Sequence, residues 1–217
     1  MVKLFSYIHK EGWKFSVISL LISVLLIYVW QPLALFGFAI TFFIVWFFRD
    51  PERKTPQINN SIISAADGKI CLIDEASPPE ETGLGQIQMK RICVFMNVLN
   101  VHVNRSPING LVEKVIYKAG NFFNASLDKA SEKNERSSLV LRTNMGTQIV
   151  VVQIAGLIAR RILSFVQSKD NLSAGERFGL IRFGSRVDIY LPMDVEIKCT
   201  LNDNVVAGET VLAQLLN

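Results

Sequence analysis

Hydrophobic and polar positions divide the chain into two textures. Residues 15–48 are almost free of charge: FSVISLLISVLLIYVW, then Gln31-Pro32, then LALFGFAITFFIVWFF. Pro32 lacks an amide hydrogen and clashes with the preceding turn, so a helix through this stretch breaks near Trp30–Gln31. Each half is then about 16 residues, roughly 24 Å of helix, against a hydrocarbon core of about 30 Å. The pattern predicts an apolar helical hairpin, and two short spans or a re-entrant dip both fit it. A hairpin buried in a soluble core would carry an amphipathic stripe, and none is visible here. The stretch is too long and uninterrupted for a secretory signal, and no small-residue cleavage site follows it.

From Ile62 onward the texture changes. Short runs rich in Val and Ile (KICLI, RICVFMNVL, LVEKVIY, SSLVLRT, TQIVVVQIAG, SRVDIYLP, VEIKCTL) alternate with Gly, Asn, Asp and Pro. Such spacing predicts a mainly β domain. Residues 155–168 fit a short helix or a further strand. Residues 77–86 and 124–137 read as polar loops, the second long enough to be functional. The expected organisation is a membrane anchor with basic flanks at 1–54 and a mainly β domain at 55–217.

Charge refines this picture. Lys3, Lys10 and Lys14 precede the apolar stretch, and Arg49, Arg53 and Lys54 follow it. Cations at both flanks place both ends on the cytoplasmic side. Trp13, Trp30 and Trp46 lie near the ends of the two halves, where interfacial indoles are common. The expected location is therefore the cytoplasmic face of the cell membrane. A net charge of +4 over 217 residues, with no Lys/Arg block or zinc-finger spacing, gives no support for nucleic-acid binding. Mild basicity beside an apolar anchor suits an anionic lipid surface. Cys71, Cys93 and Cys199 are odd in number, lack a CxxC spacing and sit among apolar residues. They read as reduced cysteines of a cytosolic domain. With only His9 and His102 present, a histidine metal site is not expected.

Chemistry must come from a small set of residues. His9 lies at the entry to the apolar stretch and reads as interfacial. His102, in LNVHVNRSP, alternates with Val101 and Val103 and would face the opposite side of a strand. A lone strand histidine is more often structural than catalytic. Asp67, in SAADGKI, sits in an Asp-Gly turn signal, yet a carboxylate there could orient an imidazole arriving from another strand. Gly184-Ser185, in RFGSRVDIYLP, reads first as a turn between strands. It also permits strained geometry in which the hydroxyl reaches its own preceding carbonyl.

Taken together, these pieces resemble a known family. FFRDPER (47–53), SAADGKI (64–70), VHVNRSPINGLV (101–112), QIAGLIARRI (153–162) and GLIRFGSRVDIYLP (179–192) closely resemble the short, membrane-associated form of phosphatidylserine decarboxylase. The likeness runs in order over almost the whole chain. It implies a precursor that cuts itself between Gly184 and Ser185 into residues 1–184 (beta chain) and 185–217 (alpha chain). It implies that Ser185 becomes a covalent pyruvoyl group, with His102 as base and Asp67 orienting it. The ketone would capture the substrate amine as a Schiff base and serve as electron sink, so neither pyridoxal phosphate nor metal is needed. The implied partners are phosphatidylserine in the membrane and the chain's own second fragment, as a heterodimer or a higher oligomer of it. Arg105, Arg160, Arg161 and Arg186 are candidates for the headgroup phosphate and carboxylate, with solvated surface charge as the alternative. Longer relatives carry a second His where this chain has Leu99, so the source of the decarboxylation proton stays open between His102 and water. The fold implied is barrel-sandwich-like. The tail VEIKCTLNDNVVAGETVLAQL also resembles lipoyl and biotin carriers, but Lys198 sits in a strand-like run rather than at a hairpin tip. A decarboxylase of ether-linked serine lipids would carry the same motifs, and so would a self-cleaved but inactive scaffold.

Overall fold

The computed structural model describes residues 7–123, 133–156, 161–182 and 185–216. The chain divides into two compact units, Met1–Glu52 and Arg53–Asn217.

The first unit is a helical hairpin. α1 (Lys10–Leu26) and α2 (Gln31–Phe47) are 17 residues each, and Pro32 stands in the first turn of α2, where its missing N–H costs nothing. His9 caps α1 by accepting from the Glu11 N–H. The two helices run antiparallel. Gly12 and Phe15 meet Phe48, and Ser19 and Ser23 bond the Thr41 hydroxyl at 2.8 and 3.3 Å. The buried seam is small or hydroxylated: Gly12, Ser16 and Ser23 on one helix, Ala34, Gly37 and Thr41 on the other. The large apolar residues point outward, with Leu25 65%, Leu35 71% and Phe42 69% exposed. This inverts the usual pattern of a water-soluble hairpin. Among the described residues no helix is long and apolar enough to cross a membrane.

The second unit is mainly β, as the strand signals predict. Its strands are β1 (Ser61–Ile63), β2 (Gly68–Ala76), β3 (Met89–Met96), β4 (Val103–Arg105), β5 (Gly110–Lys118), β6 (Arg136–Arg142) and β7 (Gln148–Ala155). There follow β8 (Arg161–Ser164), β9 (Asn171–Leu172), β10 (Arg177–Arg182), β11 (Ser185–Leu191), β12 (Val195–Ile197), β13 (Asn204–Val205) and β14 (Val211–Leu215). Eight form one curled antiparallel sheet in the order β13-β2-β3-β11-β7-β6-β5-β9. Two three-stranded sheets, β1-β14-β12 and β4-β10-β8, complete the unit. Within 155–168, Ala155 ends β7 and Arg161–Ser164 form the short strand β8. A 3-10 turn, Glu80–Thr82, interrupts the 77–86 loop.

The core explains the unbroken apolar runs. Val94 and Met96 of β3, Val187 and Ile189 of β11, and Val151 and Ala155 of β7 pack on one face of the large sheet. Val150, Val152, Ile154 and Tyr190 pack on the other. Strands buried on both faces cannot alternate polar and apolar, so IVVVQIA reads as a continuous run. Gly68 lets β2 approach β3 closely, since a Cβ there would stand 2.1 Å from the Phe95 carbonyl oxygen. Gly68 is thus a strand entry that admits no side chain.

Candidate active site

Ser185 opens β11, the strand at the centre of the large sheet. It lies directly between Met96 of β3 and Ala155 of β7. Its side chain shares the face of Val187 and Ile189, and is fully buried. Its Oγ has no hydrogen-bond partner among the described residues. A buried hydroxyl left unsatisfied costs about 1–3 kcal/mol, and apolar neighbours alone do not account for its presence. Gly184 and Arg160 lie outside the described residues.

His102 is also fully buried. Its Nδ1 is 3.0 Å from the Asn100 carbonyl oxygen, which can only accept, so the proton is assigned to Nδ1 and the lone pair to Nε2. The His102 carbonyl in turn accepts from the Ile181 N–H at 3.2 Å. That bond ties the histidine to the end of β10, four residues before Ser185.

Asn104, two residues on in β4, extends the same buried polar layer. Its Oδ1 accepts from Gln153 Nε2 at 2.7 Å and its Nδ2 donates to the Met96 sulfur at 3.5 Å. Met96 is the residue opposite Ser185, and Gln153 stands two places from Ser185's other neighbour, Ala155. The carboxamides therefore lie over the face of the sheet from which the Ser185 side chain projects.

The Asp67 carboxylate takes two hydrogen bonds from Arg53 Nη2, at 3.0 and 2.8 Å, and one from the Ala207 N–H at 2.8 Å. Among the described residues no hydrogen bond joins it to His102, whose Nδ1 faces the Asn100 carbonyl. The clamp on Asp67 is Arg53.

The arginines divide. Arg105 is buried, with Nη1 on the Gly175 carbonyl at 2.9 Å. Arg161 is exposed on β8. Arg186 points to the opposite face of β11 from Ser185 and forms a buried bidentate pair with Asp188, at 2.7 and 2.8 Å. Burial would lower the Arg186 pKa, but the facing Asp188 charge outweighs it and the net direction is upward. A guanidinium already neutralised and buried is not presented to a headgroup. Leu99, where longer relatives carry a second His, is 60% exposed in a turn.

A family model described as phosphatidylserine decarboxylase matches residues 40–213, from within α2 to within β14. The chain belongs to the phosphatidylserine decarboxylase family. The reaction of phosphatidylserine decarboxylases is that of a carboxy-lyase on a serine phospholipid, and the family is in general pyruvoyl-dependent. Three polar residues beside the candidate site were not singled out for it in the sequence: Asn104, Gln153 and Arg53, the last named there only as a flanking cation. Two of them left a trace. Asn104 repeats the inward register of His102, and Gln153 is the one polar residue inside the run IVVVQIA.

Proposed function

We propose that this chain is the short, membrane-associated form of the decarboxylase, made as a precursor that cuts itself at Gly184-Ser185. The observation that carries the reading is the Ser185 hydroxyl, buried at the head of the central strand with no partner among the described residues. In this reading His102 Nε2 takes the Oγ proton and Oγ attacks the preceding carbonyl carbon. The carbon–nitrogen bond then breaks and the nitrogen takes a proton, which leaves residue 184 as an ester on Oγ. Loss of the Ser185 α-proton and of the residue 184 carboxylate gives dehydroalanine. Water converts that to the ketone with release of ammonia. The pyruvoyl group so formed supplies an electrophile for the substrate amine and an electron sink for the departing carboxylate. Asp67, clamped by Arg53, stays a positioning residue for the turn that enters β2.

The hairpin supports the membrane part of the proposal. Small and hydroxylated residues in the seam with Leu and Phe outside is the packing expected where the surroundings are lipid. Helices of 17 residues reach about 25 Å, and the cationic flanks favour the cytoplasmic face. Arg160 and Arg161 remain the proposed headgroup cations. The two fragments would stay joined, because β11 pairs along both edges with strands of the longer piece.

Intact mass spectrometry tests the reading. Wild-type protein should give two fragments, 1–184 and 185–217, the second carrying a group reducible by borohydride in the presence of the lipid amine. Ser185→Ala should give one unbroken chain with no decarboxylation. Active enzyme with an unbroken chain would overturn the proposal.

A further inference from the structure

Ser185 stands at one end of the large sheet. The same end collects the close of β3 at Met96, the close of β7 at Ala155, the start of β6 at Arg136 and the close of β5 at Lys118. The family's substrate keeps its acyl chains in a bilayer, so this end must meet the lipid surface for a serine headgroup to arrive at Ser185. Two large apolar side chains stand exposed there, one on each side of the reacting strand. Leu99 follows Met96, the residue opposite Ser185, by three places and is 60% exposed. Its turn is locked by asparagines. Asn100 Oδ1 accepts from the Asn97 N–H at 2.9 Å, Asn97 Oδ1 accepts from the Leu99 N–H at 2.8 Å, and the Asn97 carbonyl accepts from the Asn100 N–H at 3.0 Å. Phe123 is 48% exposed and is fastened on the other side. The buried Asn134 side chain accepts from the Phe123 N–H at 2.9 Å, and donates to the Phe123 carbonyl at 2.8 Å and to the Ala155 carbonyl at 2.7 Å. Ala155 is the other neighbour of Ser185. One exposed apolar residue needs no explanation. Two, each tied to a strand that flanks Ser185 on a different side, make a rim. Tyr117 and Lys118 are exposed at the end of β5, and Arg161 is exposed opposite Arg182, three residues before Ser185. Aromatic, aliphatic and cationic side chains together suit the interface of an anionic bilayer.

We propose that the second unit docks end-on against an anionic bilayer, with Leu99 and Phe123 entering the interface on either side of Ser185 and with Tyr117, Lys118 and Arg161 at headgroup level. The inference rests on the lipid decarboxylase reading above and adds a contact that the hairpin does not supply. Charge selects the occupant: a surface of phosphatidylserine is negative, and Lys118 and Arg161 are cations beside the apolar tips. The far end of the sheet stays in water. Met145, on the turn between β6 and β7, is as exposed as Phe123, at 48%. The eight residues of β7 nevertheless hold that turn about 24 Å from Ala155, at about 3.4 Å per residue. Exposure alone therefore does not mark the docking surface; position relative to Ser185 does.

The test uses the full-length protein in vesicles of phosphatidylserine and phosphatidylcholine, with Trp13→Phe, Trp30→Phe and Trp46→Phe as background and one tryptophan returned as a probe. The emission of Leu99→Trp and of Phe123→Trp should shift to the blue on vesicles and be lost when the acyl chains carry bromine just below the headgroup. Met145→Trp should keep its aqueous emission in both. Unquenched emission from the two rim positions overturns the inference; if that emission is also blue, protein rather than lipid covers the rim. Equal quenching of Met145→Trp overturns it too, since the unit then has no preferred end. Activity gives a second readout. Leu99→Ser combined with Phe123→Ser should lower decarboxylation of phosphatidylserine in vesicles relative to that of monomeric short-chain phosphatidylserine, while Met145→Ser keeps the wild-type ratio. A wild-type ratio in the double variant sinks the docking role. If the unsubstituted protein decarboxylates neither lipid, the decarboxylase reading fails, and the quenching still decides the docking.

Discussion

Arg186 and Asp188 illustrate how a single strand serves two purposes. Alternation puts Ser185, Val187 and Ile189 on the core face of β11 and the ion pair on the other. Two charges removed from water are costly, and their attraction returns that cost only with good geometry. The bidentate contact, at 2.7 and 2.8 Å, provides it. A slip of β11 by one residue would carry both charges to the opposite face, among Val94, Met96 and Val151, so the pair also penalises misregister. Arg186→Met leaves Asp188 buried alone and should destabilise by about 3–5 kcal/mol. The double change Arg186→Met with Asp188→Leu should recover most of that loss. Denaturant unfolding in a Ser185→Ala background, where the chain is uncut, measures both.

At the scale of elements, the 3-10 turn Glu80–Thr82 is fastened to β6 by charge. Glu81 forms a bidentate pair with Arg136, and Lys118 of β5 stands 3.7 Å away. The hydrogen bonds from Arg136 outweigh the burial that would raise the Glu81 pKa, and hold it at about 2. A folded pKa below the unfolded value stabilises above the unfolded pKa, and that stabilisation is lost as pH falls through the folded one. The melting-temperature advantage of wild type over Glu81→Gln should be full above about pH 5 and shrink steadily toward pH 2. A difference constant across that range would show that the pair contributes nothing through charge. Much at this scale was legible in the residues. Pro32 marks the hairpin turn, and the Val/Ile runs mark β2, β3, β5, β6, β7, β11 and β12. The seam of α1 and α2 was not, because its pattern is one of small residues inside, while hydropathy reads only large residues. The 155–168 stretch stayed ambiguous between helix and strand because a short apolar run carries no period of its own. In the site, His102 stands out because the chain has only two histidines, whereas Ser185 is singled out only by the family resemblance around Gly184-Ser185. Asp67's partner did not, because Arg53 lies 14 residues earlier, beyond the reach of any local turn or strand pattern.

At the scale of the whole molecule, the proposed cut at 184/185 would break a connection without removing a strand. Residues 185–217 supply β11 at the centre of the large sheet, β13 at its edge, and both β12 and β14 of a small sheet. β11 and its neighbours β3 and β7 share residues throughout Ser185–Tyr190, and β14 pairs with β1. The fragments should co-migrate under native conditions and separate only in denaturant. Unfolding then turns one body into two. For the uncut Ser185→Ala chain the reaction is unimolecular, and its midpoint should not depend on protein concentration. For the processed protein the fragments must find each other again, and mass action adds about 1.4 kcal/mol of apparent stability for each tenfold rise in concentration. Denaturant curves in detergent at two concentrations tenfold apart distinguish the cases. The processed protein should shift to higher denaturant at the higher concentration while Ser185→Ala stays fixed. Coincident curves for both would mean that the C-terminal strands are still covalently joined to the rest of the sheet.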